Sequence, residues 1–250
     1  MFSTRKPDPD NAGGGICVKA NKLPAGWWVF FMRISMKEKT VILFANGEFE
    51  KSERIMEIIS QSALIVAIDG GVGHVIQLGL SPNIIIGDLD SVDQSDLATF
   101  EENGVDIKRY PTQKDETDLE LAIEYVLDLG FDQVFICGAS GGREDHFLGN
   151  ILLISNPVFM NKDIKILTKK SEIFYCSKNQ QINGNPGDLV SLIPISEKVT
   201  GINTKGLEFS LKNEELIRWT SRGISNVMVN DLAQVKYESG SLLCVHIFKF

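Results

Sequence analysis

Thr40-Val41-Ile42-Leu43-Phe44-Ala45 is an apolar run broken by no polar residue after Thr40. A strand with one wet face alternates apolar and polar residues. A strand without that alternation is buried on both faces, as in a parallel sheet with helices above and below it. The same texture returns at Ala63-Leu64-Ile65-Val66-Ala67-Ile68, at Ile84-Ile85-Ile86 and at Val134-Phe135-Ile136-Cys137, with a shorter strand at Val105 to Arg109. Helical patterns fill the gaps: Glu53 to Gln61, 72–79, Gln94 to Asn103, Thr117 to Leu129 and Asp145 to Ile154. Gly79, Gly104 and Gly130 stand where three of these should stop, because glycine readily adopts the left-handed conformation that ends a helix. Thr117 and Glu120 form a capping box, and Leu119, Ala122, Ile123, Val126 and Leu127 form one apolar face behind it. Alternating strands and helices of this kind predict an α/β unit built on a parallel sheet.

The texture changes after Pro157. Short strand-like runs follow at Ile164 to Leu167, Glu172 to Tyr175, Asp188 to Ile193, Leu207 to Leu211, Val227 to Val229, Gln234 to Tyr237 and Ser241 to Phe248. Turn-forming stretches such as Asn183-Gly184-Asn185-Pro186-Gly187 separate them. This predicts an all-β second domain, a sandwich or small barrel. The expected organisation is therefore an extension over 1–35, a catalytic α/β domain over 36–157 and a β-sandwich over 158–250.

The extension contains Pro7, Pro9, Pro24, a Gly13-Gly14-Gly15 run and the patch Trp27-Trp28-Val29-Phe30-Phe31-Met32. The patch is shorter than the roughly 7 to 15 residues of a signal-peptide core. We expect a non-native or disordered segment here, with Met32 or Met36 as the natural start. No run approaches the roughly 18 to 20 apolar residues of a membrane span. The 250 residues carry a net charge of −8, which argues against a general nucleic-acid binder. Cys17, Cys137, Cys176 and Cys244 form no CxxC pair and no zinc spacing, so reduced thiols in a cytoplasmic protein are expected.

Ligands of open parallel sheets bind beyond the carboxyl ends of the strands. Those ends are chemically unusual in this chain. Asp69-Gly70-Gly71 follows one strand, and Gly87-Asp88-Leu89-Asp90-Ser91 follows the next. Lys114-Asp115-Glu116-Thr117-Asp118 precedes a helix, and Gly138-Ala139-Ser140-Gly141-Gly142-Arg143-Glu144-Asp145-His146 follows a further strand. Asp88 and Asp90, two residues apart, share a face of an extended segment, and such carboxylates repel unless a cation lies between them. Oxygen ligands select Mg²⁺ or Ca²⁺, and a site left open to water and phosphate favours Mg²⁺. Alone, the same pair also fits a solvated acidic turn, and Asp118 also fits a charge offsetting a helix dipole. The glycine turn offers backbone N–H groups and the Arg143 guanidinium to phosphate, although it is neither a GxGxxG nor a GK[ST] pattern. His74 and His246 read as structural; His146 fits either a site residue or a cap. Trp219, ahead of Ser221-Arg222-Gly223-Ile224-Ser225-Asn226, fits either a ring-stacking residue or an ordinary loop.

Taken in order, these motifs resemble the thiamine pyrophosphokinase family, from about Thr40 to near the C-terminus. The resemblance implies an N-terminal α/β catalytic domain, a C-terminal β-sandwich that binds thiamine and dimerises, and a homodimer with active sites at the subunit interface. It implies ATP and thiamine as substrates, and AMP and thiamine diphosphate as products. Under it, Asp69, Asp88 and Asp90 hold Mg²⁺, and Asp115 and Asp118 complete the catalytic carboxylate set. Gly70, Gly71, Ser91, Thr117, Ser140 and Arg143 bind ATP. Asp145, His146, Trp219, Ser225 and Asn226 bind thiamine, with Ser225 and Asn226 coming from the partner subunit. The rival expectations are a pyrophosphokinase acting on another alcohol, such as a hydroxymethylpterin, and a non-catalytic nucleotide-binding protein on the same scaffold.

Overall fold

The computed structural model of the chain describes residues 39–249; the expected N-terminal extension, with Trp27, Trp28, Met32 and Met36, lies outside them. The first half alternates as its sequence predicts: β1 (Thr40–Phe44), α1 (Glu53–Gln61), β2 (Leu64–Ile68), α2 (Val72–Gln77), β3 (Ile84–Gly87), α3 (Gln94–Glu102), β4 (Asp106–Arg109), α4 (Asp118–Asp128), β5 (Gln133–Cys137) and α5 (Glu144–Leu153). Then come β6 (Asp163–Leu167), β7 (Ser171–Cys176), β8 (Asn179–Asn183), β9 (Leu189–Pro194), β10 (Lys198–Lys205), β11 (Lys212–Ile217), β12 (Asn226–Val227), β13 (Leu232–Lys236) and β14 (Leu242–Ile247).

One ten-stranded sheet runs β12-β9-β14-β7-β6-β5-β1-β2-β3-β4. From β6 to β4 the neighbours are parallel; from β6 towards β12 they are antiparallel. The sheet therefore crosses Pro157 without a break. Its parallel part includes β6, and the direction changes at the β6–β7 hairpin. There Thr168 N–H donates to Ser171 O at 2.9 Å, and the Thr168 hydroxyl contacts that of Ser171 at 2.8 Å. A four-stranded antiparallel sheet, β11-β10-β13-β8, covers the antiparallel half and makes the sandwich.

Val41, Ile42, Leu43 and Phe44 are inaccessible to solvent, as expected for a strand covered on both faces. Ile42 and Phe44 join a core with Ile55, Ile58 and Ile59 of α1 and Val72 and Val75 of α2. On α4, Leu119, Ala122, Ile123 and Val126 are buried, and the helix packs on β2 and β3. A second core lies between the two sheets of the sandwich, with Phe174, Val190, Leu192, Ile202, Val235 and Leu242 among its members. Burying one such side chain is worth about 1.5–3 kcal/mol.

The β-rich half departs from the sequence reading in particular places. Leu207 to Leu211 is not a strand: Leu207 makes an isolated bridge to Met228, and the strand is β11, further along. Leu207 and Leu211 are apolar because they plug the sandwich core, not because they belong to a ladder. β8 is an edge strand with one buried residue, Ile182, so it carries little apolar signal. In β10 the alternation is interrupted by an irregular register around Gly201, whose φ is +68°. Only half of the capping box forms: the Thr117 hydroxyl accepts from Glu120 N–H at 3.2 Å.

Candidate active site

The chain leaves β1 for β2, β3 and β4 on one side, then returns to lay β5 on the other side of β1. Such a reversal opens a crevice beyond the carboxyl ends of the strands. A cleft of about 590 Å³ lies there, between the β1 loop (Asn46, Gly47, Glu48), the β5 loop (Gly138 to Arg143), Asp69 after β2, and Thr117 and Asp118 at the start of α4. His146 and Asn150 of α5 complete its wall, and Asn150 donates to Ala139 O at 2.9 Å. A neighbouring hollow of about 300 Å³ is lined by Thr117, Glu120, Asp145, His146 and Asn150.

The cleft floor is held by backbone contacts that only glycine permits. Gly47 N–H donates to Gly138 O at 2.6 Å and Glu48 N–H to Ser140 O at 2.7 Å, tying the β1 loop to the β5 loop. A Cβ on Gly47 would lie 2.4 Å from Gly138 O, inside contact distance. The His74 ring Nε2 lies 2.8 Å from Gly47 O, so this histidine braces the loop, as its structural reading expects. A Cβ on Gly87 would lie 1.7 Å from Asp69 Oδ1, so glycine makes room for that carboxylate.

Asp69 is the electrostatic centre of the cleft. It takes a left-handed conformation (φ 45°), as does Leu89 (φ 63°), which non-glycine residues rarely adopt outside constrained sites. Leu89 N–H donates to Asp69 Oδ1 at 3.2 Å. Burial, reinforced by the charges of Asp118 and Asp88, pushes the Asp69 carboxyl up to about 7 despite that bond. The Asp90 N–H, which donates to Asp88 Oδ1 at 3.3 Å, holds Asp88 below the usual carboxylate range, with Thr112 and Lys114 adding to the effect. Lys114 Nζ sits 2.6 Å from Asp118 Oδ1.

The expected site residues divide into those the fold brings to the cleft and those it does not. Asp69, Thr117, Asp118, Arg143 and His146 line it; Asp88 does not, but its charge acts on Asp69. Gly70 lies against Asn46, and Gly71 against the end of β1. Asp90, Ser91 and Asp115 are exposed, and Ser140 is half-buried beside Glu48. Among the described residues, no three His, Cys, Asp or Glu side chains are gathered at metal-ligand spacing. No three of the site carboxylates are therefore a preassembled cage, whether Asp90 or Asp118 is counted with Asp69 and Asp88. A hard cation that keeps several waters and takes phosphate oxygens needs only one or two protein carboxylates, and the oxygen-only set of Asp69, Asp88 and Asp118 fits it.

Arg143 and Asp145 form a two-pronged pair on the surface, Nε to Oδ1 at 3.1 Å and Nη2 to Oδ2 at 2.6 Å, which draws Asp145 down to about 2. Trp219, Ser225 and Asn226 line neither hollow. Trp219 is 67% exposed, with the Arg218 guanidinium 4.8 Å from its ring. Ser225 is exposed, with φ 58°. Asn226 is buried and its amide is spent on the fold, accepting from Phe209 N–H at 3.0 Å and donating to Phe209 O at 2.8 Å.

The site also uses Asn46, Gly47 and Glu48, which the sequence reading passed over. The signal was present: they follow the deepest strand, where the strand-end rule applies as it does to Asp69 and Asp88.

Comparison with known proteins bears on the family and the fold. Residues 55–168 match the family model described as thiamin pyrophosphokinase, catalytic domain, and residues 173–242 match thiamin pyrophosphokinase, vitamin B1 binding domain. The chain belongs to the thiamin pyrophosphokinase family. The seam between the two matched regions is the β6–β7 turn. The thiamine pyrophosphokinase of Bacillus subtilis is 27% identical over 209 residues, covering 83% of this chain and 98% of that protein. A crystal structure of the Bacillus subtilis enzyme superposes with a TM-score of 0.72 at 25% identity, covering 84% of this chain and all 100% of the other. Yeast thiamin pyrophosphokinase shares the fold, with a TM-score of 0.68 at 20% identity over 86% of this chain and 88% of that one. None of these favours the pterin alternative. No helix among the described residues is long and apolar enough to cross a membrane.

Proposed function

We propose that this thiamin pyrophosphokinase family member transfers the pyrophosphoryl group of ATP to the hydroxyl of thiamine, releasing AMP and thiamine diphosphate, as a Mg²⁺-dependent cytoplasmic homodimer. The observation that carries the reading is the convergence at the β1/β5 crevice of Asp69, Asp88 and Asp118 with a glycine turn and Arg143. A triphosphate needs both: carboxylates to hold its counter-ion, and backbone N–H groups with a guanidinium to hold its oxygens.

Asp69, Asp88 and Asp118 would hold Mg²⁺, with Asp90 and Asp115 in reach of its water shell. Bound there, the ion would supply charge neutralisation for the transferred group and an anchor for the polyphosphate. The rest falls to the protein. Gly138 to Gly142 present N–H groups to the phosphates, with Gly70, Gly71, Ser91, Thr117 and Ser140 beside them. Arg143 leaves Asp145 to grip a phosphate, which frees Asp145 to orient thiamine beside His146. The thiamine hydroxyl attacks the β-phosphorus in line with the leaving AMP oxygen. Its proton passes to a carboxylate of the set that the ion does not hold. Trp219 and Ser225, away from this cleft, would reach a partner's site across the dimer, on a loop that Asn226 fixes.

The test is direct. Purified protein with Mg²⁺, ATP and thiamine should form thiamine diphosphate and AMP in equal amounts, read by chromatography. ADP in place of AMP, or no thiamine diphosphate, would overturn the proposal.

A further inference from the structure

The carboxylate cluster contains a cation of its own. Lys114 lies just after β4, and its side chain is 11% exposed, unusually buried for a lysine. Its Nζ donates to Asp118 Oδ1 at 2.6 Å and its charge acts on Asp88. The Tyr110 ring centroid lies 5.9 Å from the ammonium. Asp118 and Asp88 are the two charges that press on Asp69. Arg143, the other cation of the cleft, is bound to Asp145.

An ammonium and a divalent cation compete for these carboxylates, because like charges only a few ångströms apart repel where water is partly excluded. A lysine is suited to exchange, since it carries a point charge on a flexible four-carbon stem. We propose that Lys114 is a positioning residue that serves as the resident counter-ion of the Asp88–Asp118 pair and that gives up Asp118 to the incoming divalent cation, turning its ammonium to the polyphosphate. The inference rests on the proposed function and deepens it: binding of metal and nucleotide is coupled through one lysine.

A purely structural lysine and an exchanging one predict opposite signs. Mn²⁺ binding to the full chain without nucleotide, followed by paramagnetic resonance, should be about threefold tighter or more in Lys114→Gln, because the competing charge is gone. The KM for Mg-ATP should rise about tenfold in the same variant, because a charged phosphate contact is lost. Lys114→Arg should keep wild-type Mn²⁺ affinity. If Lys114 only braces the loop, Lys114→Gln weakens Mn²⁺ and nucleotide together, and that result overturns the proposal, as does an unchanged Mn²⁺ affinity.

Lysine acetylation footprinting of the wild-type protein needs no variant. Lys114 should be protected alone, react faster with Mg²⁺, and be protected again with Mg²⁺ and a non-hydrolysable ATP analogue. Indifference to Mg²⁺ overturns the exchange. If Lys114 responds as stated but no thiamine diphosphate is formed, the functional reading fails and the exchange stands.

Discussion

Two groups of carboxylates in this molecule differ in what neutralises them. At the cleft, Asp69 faces Asp118 and Asp88 and is pushed up to about 7. In the antiparallel half of the large sheet, Glu172 and Asp188 flank His246, and all three are buried. His246 Nδ1 lies 3.4 Å from Glu172 Oε1, and its Nε2 lies 3.0 Å from Asp188 Oδ2. Arg54 and Lys165 reach Glu172 at 2.6 and 3.4 Å, and Asp188 also accepts the N–H groups of Asn185 and Lys249. Burial opposes the Glu172 charge, but His246, Lys165 and Arg54 outweigh it and hold the group at about 2. One cluster is neutralised on all sides by the fold; in the other, Lys114 reaches Asp118 and Asp88 while Asp69 keeps only the Leu89 N–H. Depth alone does not decide a carboxylate's role: the supply of donors and cations does.

The strongest way to break this contrast is at the cleft. Asp88→Asn and Asp118→Asn should each lower kcat by about 10²–10³-fold, a usual size for lost electrostatic stabilisation, while unfolding as the wild type does. AMP release at saturating Mg²⁺ measures this, and near-normal turnover in both would remove the metal role.

The second test inverts the first. Glu172→Ala should destabilise the protein by about 3 kcal/mol, because Arg54, Lys165 and His246 lose their shared partner, with activity per folded molecule preserved. Urea unfolding gives the first quantity and titrated active protein the second. Activity lost at full stability would show that this cluster belongs to the site.

The pH dependence should run in opposite directions at the two clusters. Glu172 is depressed from its ordinary 4.5 to about 2, so it contributes stability above pH 4.5 that disappears as the pH falls towards 2. Asp69 is raised from 3.8 to about 7, so its contribution is present below pH 3.8 and lost as the pH rises through 7. In chelator, Asp69→Asn should therefore raise Tm at pH 8 by about 2–4 °C and leave it nearly unchanged at pH 4. Thermal unfolding at the two pH values checks the sign. The smallest effect belongs to Thr117→Ala, where loss of the helix cap should cost about 1 kcal/mol in urea unfolding.

The parallel half was legible because its signals are local and redundant. Runs such as Val41 to Phe44 are apolar throughout, and Gly79, Gly104 and Gly130, all at positive φ, mark the helix ends. The sandwich was less legible because its edge strands owe little to their own residues. β8 shows one buried isoleucine, and Leu207 and Leu211 imitate a strand while plugging a core. At the site, Asp69, Asp118 and Arg143 were visible as unusual residues at strand ends and helix starts. Their coupling was not, because it depends on which strands become neighbours. Asn226 shows the limit of type and spacing: its amide suits a ligand, and only the fold reveals that Phe209 already holds it.

The unbroken sheet has a practical consequence for dissecting the protein. A cut at the β6–β7 turn would leave β6, now paired on both sides, with one open row of amides and carbonyls. Such an edge is a template for uncontrolled strand addition. The two family-matched regions, although adjacent blocks of sequence, are therefore halves of one beam, and a fragment ending at Leu167 would be prone to aggregate.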